Sequence, residues 1–160
     1  MSEYDTDTSF QIHDDNNVKG FFSQYRWLSN FYPCYVRVFD AVFPSTEHAY
    51  QFKKAPVGKF HPDDVIILTA DEVKKWGRRI KVRDDWEKIK VDIMHTCVYA
   101  KFTQNPELRK KLLETGQKYL EETNWWNDVE WGVYYKTGKG KNMLGNLLMS
   151  VRNQIRIESL

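Results

Sequence analysis

A helix with a marked beginning and end is encoded in F-P-S-T-E-H-A-Y-Q-F-K-K-A, the stretch from Phe43 to Ala55. Ser45 can cap the helix, because its hydroxyl can accept a hydrogen bond from a backbone N–H of the first turn. Glu47 falls in that turn, where the helix dipole favours a negative charge. Proline cannot continue a helix, so we predict that this one ends near Pro56-Val57-Gly58.

Polar side chains of this helix share one side. At about 100° per residue, one stripe contains Glu47, either Tyr50 or Gln51, and Lys54, whereas His48 lies elsewhere around the helix. A carboxylate, an amide or phenol, and an amine in one stripe can bind a polyhydroxylated ligand. The same stripe also suits a solvated face of ordinary ion pairs, and the sequence leaves both interpretations open.

The flanking sequence predicts short strands and amphipathic helices. Aromatic and β-branched residues indicate strands, and cap residues followed by three-and-four apolar spacing indicate helices. We predict strands over 18–23 and 35–43, and helices after His61-Pro62, from Thr69 to Arg79, from Asp84 to Phe102, from Pro106 to Gly116 and from Asn142 to Arg156. The prediction is one compact, helix-rich α+β domain over residues 18–160 with a few short strands, after a flexible tail of residues 1–17.

Composition limits the class of protein. The chain has 160 residues, which suits a single domain, and its net charge of +2 is too small for broad coating of nucleic-acid phosphates. Its two cysteines, Cys34 and Cys97, form no disulfide framework. Neither a signal peptide nor an apolar run of membrane-spanning length is visible. We therefore expect a soluble cytoplasmic protein without membrane association; the sequence does not predict its oligomeric state.

An aromatic loop, R-W-L-S-N-F-Y, runs from Arg26 to Tyr32. Its rings can sandwich a nucleobase while Asn30 reads the base edge, with Phe31 as one of the stacking rings. The alternative is that Trp27, Leu28 and Phe31 fill the core beneath the loop.

A second polar segment lies near the C-terminus. Asp128 stands beside several tryptophans, Trp131 among them, and can serve as an acid or a base depending on its solvation. The loop T-G-K-G-K-N follows, in which Gly138 and Gly140 allow backbone N–H groups to approach an anion ahead of the helix that begins near Asn142. A flexible turn is the alternative, and the loop lacks the spacing of a Walker motif.

Metal and cofactor sites are not predicted. The four histidines, at positions 13, 48, 61 and 95, show no paired ligand spacing. His95 and Cys97 are two residues apart in a predicted helix and therefore cannot face one another.

Together the motifs are more specific than any one of them. Over roughly residues 20 to 157 the chain resembles the NADAR superfamily of YbiA-like N-glycosidases. The motifs that carry the resemblance are L-S-N-F-Y (28–32), the stretch 43–55, W-G-R-R (76–79), D-W-E-K-I-K-V-D-I-M (85–94), A-K-F-T-Q-N-P-E-L (100–108), N-W-W-N-D-V-E-W-G (124–132), G-K-G-K-N-M-L-G-N-L-L-M (138–149) and Val151-Arg152.

The resemblance implies a hydrolase of N-glycosyl compounds with no cofactor. Its substrate is expected to be a small molecule in which a phosphoribosyl or ADP-ribosyl group is joined to a base. Two classes are implied: ADP-ribosylated guanine, including a modified base in nucleic acid, and ribosylamino-pyrimidine phosphates of riboflavin biosynthesis. The alternative is a non-catalytic module that binds ADP-ribose or NAD.

The resemblance also implies a set of site residues. Glu47, Asp128 and Lys54 are the expected catalytic residues, and the two acids can divide proton donation and water activation in either order. Lys54 can form a Schiff base with the aldehyde of an opened ribose, or only orient Glu47 by an ion pair. The expected substrate-binding residues are Asn30, Phe31, His48, Gln51, Trp86, Trp131, Gly132, Gly138, Gly140 and Asn142.

Overall fold

The computed structural model describes residues 8–160. Within that range the backbone forms seven short strands and six α-helices, together with a 3-10 helix at Ser23–Leu28. In chain order they are β1 (Ile12–His13), β2 (Asn17–Lys19), β3 (Val36–Val38), β4 (Ala41–Phe43), α1 (Thr46–Lys54), α2 (Asp63–Ile66), α3 (Ala70–Arg79), α4 (Trp86–Gln104), α5 (Pro106–Glu114), β5 (Tyr119–Glu121), β6 (Thr123–Asn124), β7 (Val133–Tyr134) and α6 (Met143–Glu158).

The predicted helices are all present, with ends shifted by a few residues. The caps of α1 and α3 are those the sequence indicates: the Ser45 hydroxyl accepts from the His48 backbone N–H, and Thr69 and Glu72 form a complete capping box at the start of α3. Residues 35–43 are two strands rather than one, because Phe39 and Asp40 have φ values of 54° and 60° and turn the chain into a β3–β4 hairpin. The strands β5 to β7 were not predicted.

The prediction of a flexible tail is wrong for residues 8–17. Ile12 and His13 pair with Lys19 and Val18 in an antiparallel ladder, so this segment forms a sheet edge. Asp14 stabilises the intervening turn, because its Oδ1 accepts from the backbone N–H groups of Asn16 and Asn17. The remainder of the predicted tail, residues 1–7, lies outside the described residues.

Backbone contacts divide the chain into two compact units, each described by itself. One comprises residues 8–29 and 110–160, and the other residues 30–109. In the first, β1, β2 and β5 form a sheet, β6 pairs with β7, and α6 packs against β5. In the second, α1 contacts α2, α3, α4 and the β3–β4 hairpin. The polar stripe of α1 therefore lies in the interior of its unit.

No helix within residues 8–160 combines the length and apolar character required to cross a membrane.

Candidate active site

The first turn of α1 is held by a network around His48. The Leu68 carbonyl accepts from His48 Nε2 at 2.7 Å, so Nε2 carries the proton and Nδ1 is the acceptor that faces the Ser45 hydroxyl at 2.6 Å. Burial lowers the pKa of His48, which favours this neutral ring. Both ring nitrogens are engaged by the protein, and His48 therefore supports the start of α1 rather than a ligand.

Glu47 and Gln51 are held together inside the unit. Only 6% of Glu47 and 7% of Gln51 is exposed. Gln51 Nε2 donates to Glu47 Oε1 at 2.9 Å, and the Glu47 backbone N–H donates to the Asn30 carbonyl. A solvated face of ion pairs is therefore wrong for these two residues. A carboxylate buried to this degree needs such partners, and their presence indicates a side chain that the fold orients.

Helix α4 lies beside Glu47. Cys97 is fully buried, and its thiol pKa is raised first by burial and then by the negative charge of Glu47, which places the two groups close together. One turn earlier, Met94 Sδ accepts from Asn30 Nδ2 at 3.5 Å. The ring of Trp86 lies 5.0 Å from that of Tyr50. Glu47 is thus buried beside Cys97 of α4, and a buried charge interacts more strongly than a charge in water.

Lys54 completes the stripe of α1. It is partly buried, and burial lowers the pKa of its amine. The negative charge of Glu47 opposes that change, while the positive charge of Arg78 reinforces it. A larger share of neutral amine follows at a given pH, and neutral amine is the form that can act as a nucleophile or a base.

Two polar atoms of α1 are buried without a hydrogen-bond partner among the described residues: Gln51 Oε1 and Thr46 Oγ1. Buried polar atoms in native proteins almost always have partners, so an unsatisfied pair on one helix needs an explanation. Gln51 Oε1 lies against Gly77 of α3, where a side chain would collide with it. The amide therefore occupies a space that only glycine leaves open.

Asp128 organises the turn that carries Trp131. Asp128 Oδ1 accepts from the backbone N–H groups of Glu130 and Trp131 at 3.0 Å and 2.9 Å, and the amide of Asn124 binds the Asp128 backbone on both sides. Asp128 Oδ2 accepts no hydrogen bond from residues 8–160. One oxygen of the carboxylate is thus held in place and the other remains available to a ligand.

Asn142 has a structural role that the sequence did not indicate. It is 3% exposed and adopts a left-handed conformation, with φ of 50°. Its Oδ1 accepts from the Glu122 backbone N–H, and its Nδ2 donates to the Leu120 carbonyl and to the Tyr119 hydroxyl. These contacts use the amide fully, so Asn142 ties β5 to the start of α6 instead of presenting donors to a ligand.

The start of α6 is likewise occupied by the chain itself. Backbone N–H groups of Lys141, Asn142, Met143 and Leu144 donate to carbonyls of residues 129–132. A Cβ on Gly140 would meet the backbone of Gly132 and Val133, so this glycine permits close chain packing. The N–H donors at the start of α6, on which the predicted anion site at Gly138, Gly140 and Asn142 depended, are therefore occupied.

The structure thus separates the predicted residues into groups. In the unit of residues 30–109 it brings Asn30, Glu47, Gln51 and Lys54 together, and we call these four residues the Glu47 cluster. Trp86 is buried against Tyr50, and Phe31 is half-buried with Lys74 Nζ 5.5 Å from its ring centre. In the other unit, Gly132 packs against the Glu122 carbonyl and Asn124. In the aromatic loop, Trp27 and Leu28 are buried, as the core-filling alternative expected.

Two positions were missed: Gly77 and Cys97. Gly77 had a signal, because a glycine inside a predicted helix normally marks close packing. Cys97 had none, since a buried cysteine in a helix reads as ordinary core.

Known proteins are similar to this chain in sequence and fold over most of its length. Residues 13–156 match the NADAR domain. N-glycosidase YbiA of Escherichia coli (strain K12) is 37% identical over 134 residues, which are 82% of this chain and 82% of YbiA. N-glycosidase Npun_R5314 of Nostoc punctiforme is 36% identical over 140 residues, covering 82% of this chain and 86% of that protein. The solution NMR structure of E. coli YbiA superimposes with a TM-score of 0.80 at 30% identity, over 95% of this chain and 92% of YbiA.

The chain therefore belongs to the NADAR family, and the predicted helix-rich α+β fold is confirmed. A further relative, Riboflavin biosynthesis protein VVA0006 of Vibrio vulnificus, is 35% identical over 132 residues. Those residues are 81% of this chain but 35% of VVA0006, so the chain spans about a third of that longer protein.

Proposed function

We propose that this protein is an N-glycosidase that hydrolyses the C–N bond between a phosphoribosyl or ADP-ribosyl group and a base. The observation that supports the proposal best is the buried carboxylate of Glu47, oriented by Gln51 and followed by the partly buried amine of Lys54. Relatives named N-glycosidases, matched over about four fifths of their length, support the same reaction class.

Glu47 is proposed to stabilise the reacting sugar. Cleavage of an N-glycosidic bond builds positive charge on the ribose ring, and a carboxylate beside the ring attracts that charge. The burial of Glu47 strengthens the attraction, because little water competes. In the overall reaction one water adds its hydroxyl to the anomeric carbon, the C–N bond breaks, and the base nitrogen takes the proton.

Asp128 is proposed as the second carboxylate, acting through Oδ2. The two backbone N–H groups at Oδ1 hold its plane, and a held carboxylate loses little freedom when it binds substrate.

Lys54 offers a covalent route on the same helix. In a ring-opened riboside the neutral amine can add to C1, the C–N bond to the base breaks as the base leaves with a proton, and the imine left between Lys54 and C1 is hydrolysed by water to the C1 aldehyde and the free amine. The lowered pKa of Lys54 supports this route, because attack requires the unprotonated amine. Orientation of Glu47 by charge is the alternative role.

Substrate chemistry divides into two classes. Relatives named riboflavin biosynthesis proteins favour a ribosylamino-pyrimidine phosphate, whereas ADP-ribosylated guanine, free or in nucleic acid, presents the same bond. A flipped base would reach the site without extensive strand contacts, which suits the small net charge. The unpaired cysteines suit a reducing compartment, and we place the protein in the cytoplasm.

Product analysis tests the proposal. The parent protein and Glu47→Gln are incubated with each substrate class, and released base and ribosyl product are quantified by mass spectrometry. We expect turnover by the parent with one class and a loss of about 10²–10⁴-fold in kcat for E47Q, as for removal of an acid–base group. Saturable binding of ADP-ribose without product from either substrate class would contradict the proposed catalytic activity.

Two further arms complete the test. Borohydride added during turnover traps an imine on Lys54, and the adduct is mapped by peptide mass; Lys54→Arg is the matched control that keeps the charge but cannot form the imine. The absence of an adduct from an active parent assigns Lys54 the orienting role.

A further inference from the structure

Helix α3 contains a glycine, Gly77, at an interior position, where alanine would stabilise the helix more. Gly77 is buried in the second half of α3, and its φ lies outside the left-handed region, so its backbone does not require glycine. Glycine is among the least favourable residues inside a helix. The conformation of α3 therefore gives no reason for this residue, and the reason must lie in what it faces.

Gly77 faces the side-chain amide of Gln51. A Cβ on Gly77 would lie 2.7 Å from Gln51 Cδ and closer still to Oε1. No real Cβ tolerates such contacts, so a side chain at this position must displace the amide. The obstacle is the end of a flexible side chain rather than backbone, which means that α3 and α1 can keep their places while Gln51 moves.

Displacement of the amide breaks its bond to Glu47. Gln51 Nε2 donates to Glu47 Oε1 at 2.9 Å, and the other end of the same amide rests on Gly77. The amide is planar, so its two ends move as one body. Gln51 is 7% exposed, and its present position therefore depends on the space that the missing side chain leaves.

We propose that Gly77 is a positioning residue for catalysis. Because Gly77 has no side chain, the Gln51 amide packs against its Cα, and in this position the amide orients the Glu47 carboxylate. The inference rests on the proposed function for its effect on turnover, but its geometric content does not. It also accounts for the buried Gln51 Oε1, which lies against Gly77 and has no hydrogen-bond partner among the described residues. Gly77 touches no substrate in this proposal and acts through Gln51 alone.

A double-mutant cycle tests the proposal. Gly77→Ala, Gln51→Ala and the double variant are compared with the parent for kcat, KM and thermal stability. We expect each single variant to lower kcat by about tenfold to 10²-fold, as displacement of a catalytic group does, with KM nearly unchanged. In the double variant the obstructing amide is gone, so G77A should add less than about twofold to the effect of Q51A. Lys75→Ala, an exposed change on the same helix, is the control that should leave kcat unchanged.

The Gln51 side-chain amide signal in a 1H–15N spectrum reports the position of the amide against Gly77, and this measurement does not require turnover. The signal is assigned by its loss in Q51A, and we expect it to shift in G77A and stay in K75A. An unshifted signal in G77A overturns the inference, and so does a double variant whose loss equals the product of the two single losses. If G77A does not fold, restored folding in Q51A/G77A supports the inference that Gly77 makes room for the Gln51 amide. Failure of both variants to fold overturns the inference. A parent without turnover defeats the proposed function alone, because the spectrum still decides the inference.

Discussion

Helix α1 and the segment from Asn127 to Asn142 are both rich in polar groups, yet these groups are bound differently in the two regions. In the C-terminal segment, the Asn142 amide, Asp128 Oδ1 and the N–H groups at the start of α6 are all bound to neighbouring backbone. In α1, Gln51 Oε1 and Thr46 Oγ1 are buried and bound to nothing within residues 8–160.

The difference teaches which polar residues belong to the fold and which serve chemistry. A buried polar group satisfied by backbone stabilises a loop that has no other regular structure. A buried group left unsatisfied lowers stability, and proteins concentrate such groups where function needs them. Substitutions that remove the backbone-bound polar groups of the C-terminal segment should therefore affect stability first, whereas substitutions in α1 and loss of the charge at the unbound Asp128 Oδ2 should affect turnover first.

The largest expected effect on stability is that of Asn142→Ala. The change leaves the Glu122 N–H and the Leu120 carbonyl without partners and places alanine in a left-handed conformation, which together lower the free energy of unfolding by about 4 kcal/mol. Denaturant unfolding measures the loss. Asn146→Ala removes one exposed bond to the Lys141 carbonyl and is the matched control, expected within about 0.5 kcal/mol of the parent. Equal midpoints for the two variants would contradict the contrast.

A smaller effect is expected at Lys101, a cation on α4 that is 1% exposed. Burial lowers its pKa to about 8, from 10.5 in the unfolded chain, and nearby Cys34 opposes the shift. Below pH 8 both states hold the proton and the burial penalty is complete; between pH 8 and 10.5 the unfolded chain binds more protons, so stability rises with pH. The rise in the free energy of unfolding due to Lys101 is about 3 kcal/mol, and Lys101→Met should remove it.

The measurement is the free energy of unfolding of parent and K101M from pH 7 to 10.5. Differences between the two chains cancel the titration of groups that do not interact with Lys101, which leaves Lys101 and the neighbouring thiol of Cys34. Lys88→Met changes an exposed lysine of the same helix and should follow the parent. An identical pH dependence for K101M and the parent would show that the buried amine does not titrate in this range.

The smallest effect on stability is expected for Asp128→Asn. The amide keeps an oxygen at the position that accepts the Glu130 and Trp131 N–H groups but loses the charge, so unfolding should change by less than about 1 kcal/mol. If Oδ2 acts on substrate, kcat nevertheless falls by about 10²-fold or more. Asp128→Ala should in addition lower stability, because the turn loses its acceptor. A D128N enzyme with parental kcat would assign Asp128 wholly to the turn.

Much of the site could be predicted, for reasons that differ between residues. The bond between Glu47 and Gln51 follows the i, i+4 geometry of a helix, which the cap at Ser45 already placed in register. That this stripe faces inward could not be predicted, because a row of Glu, Gln and Lys has the polarity of a surface. The role of Asn142 was misread for the opposite reason: a basic glycine loop has the composition of an anion site, whereas its donors are bound to the chain itself.

By itself the sequence determined the helices, their caps and the family, since these depend on local spacing and on motifs that keep their order along the chain. Tertiary structure decided which polar groups are left for chemistry. A hydrogen bond to backbone twenty residues away, such as that from Glu122 to Asn142, or a glycine on α3 that makes room for an amide on α1, depends on distances that no local pattern carries.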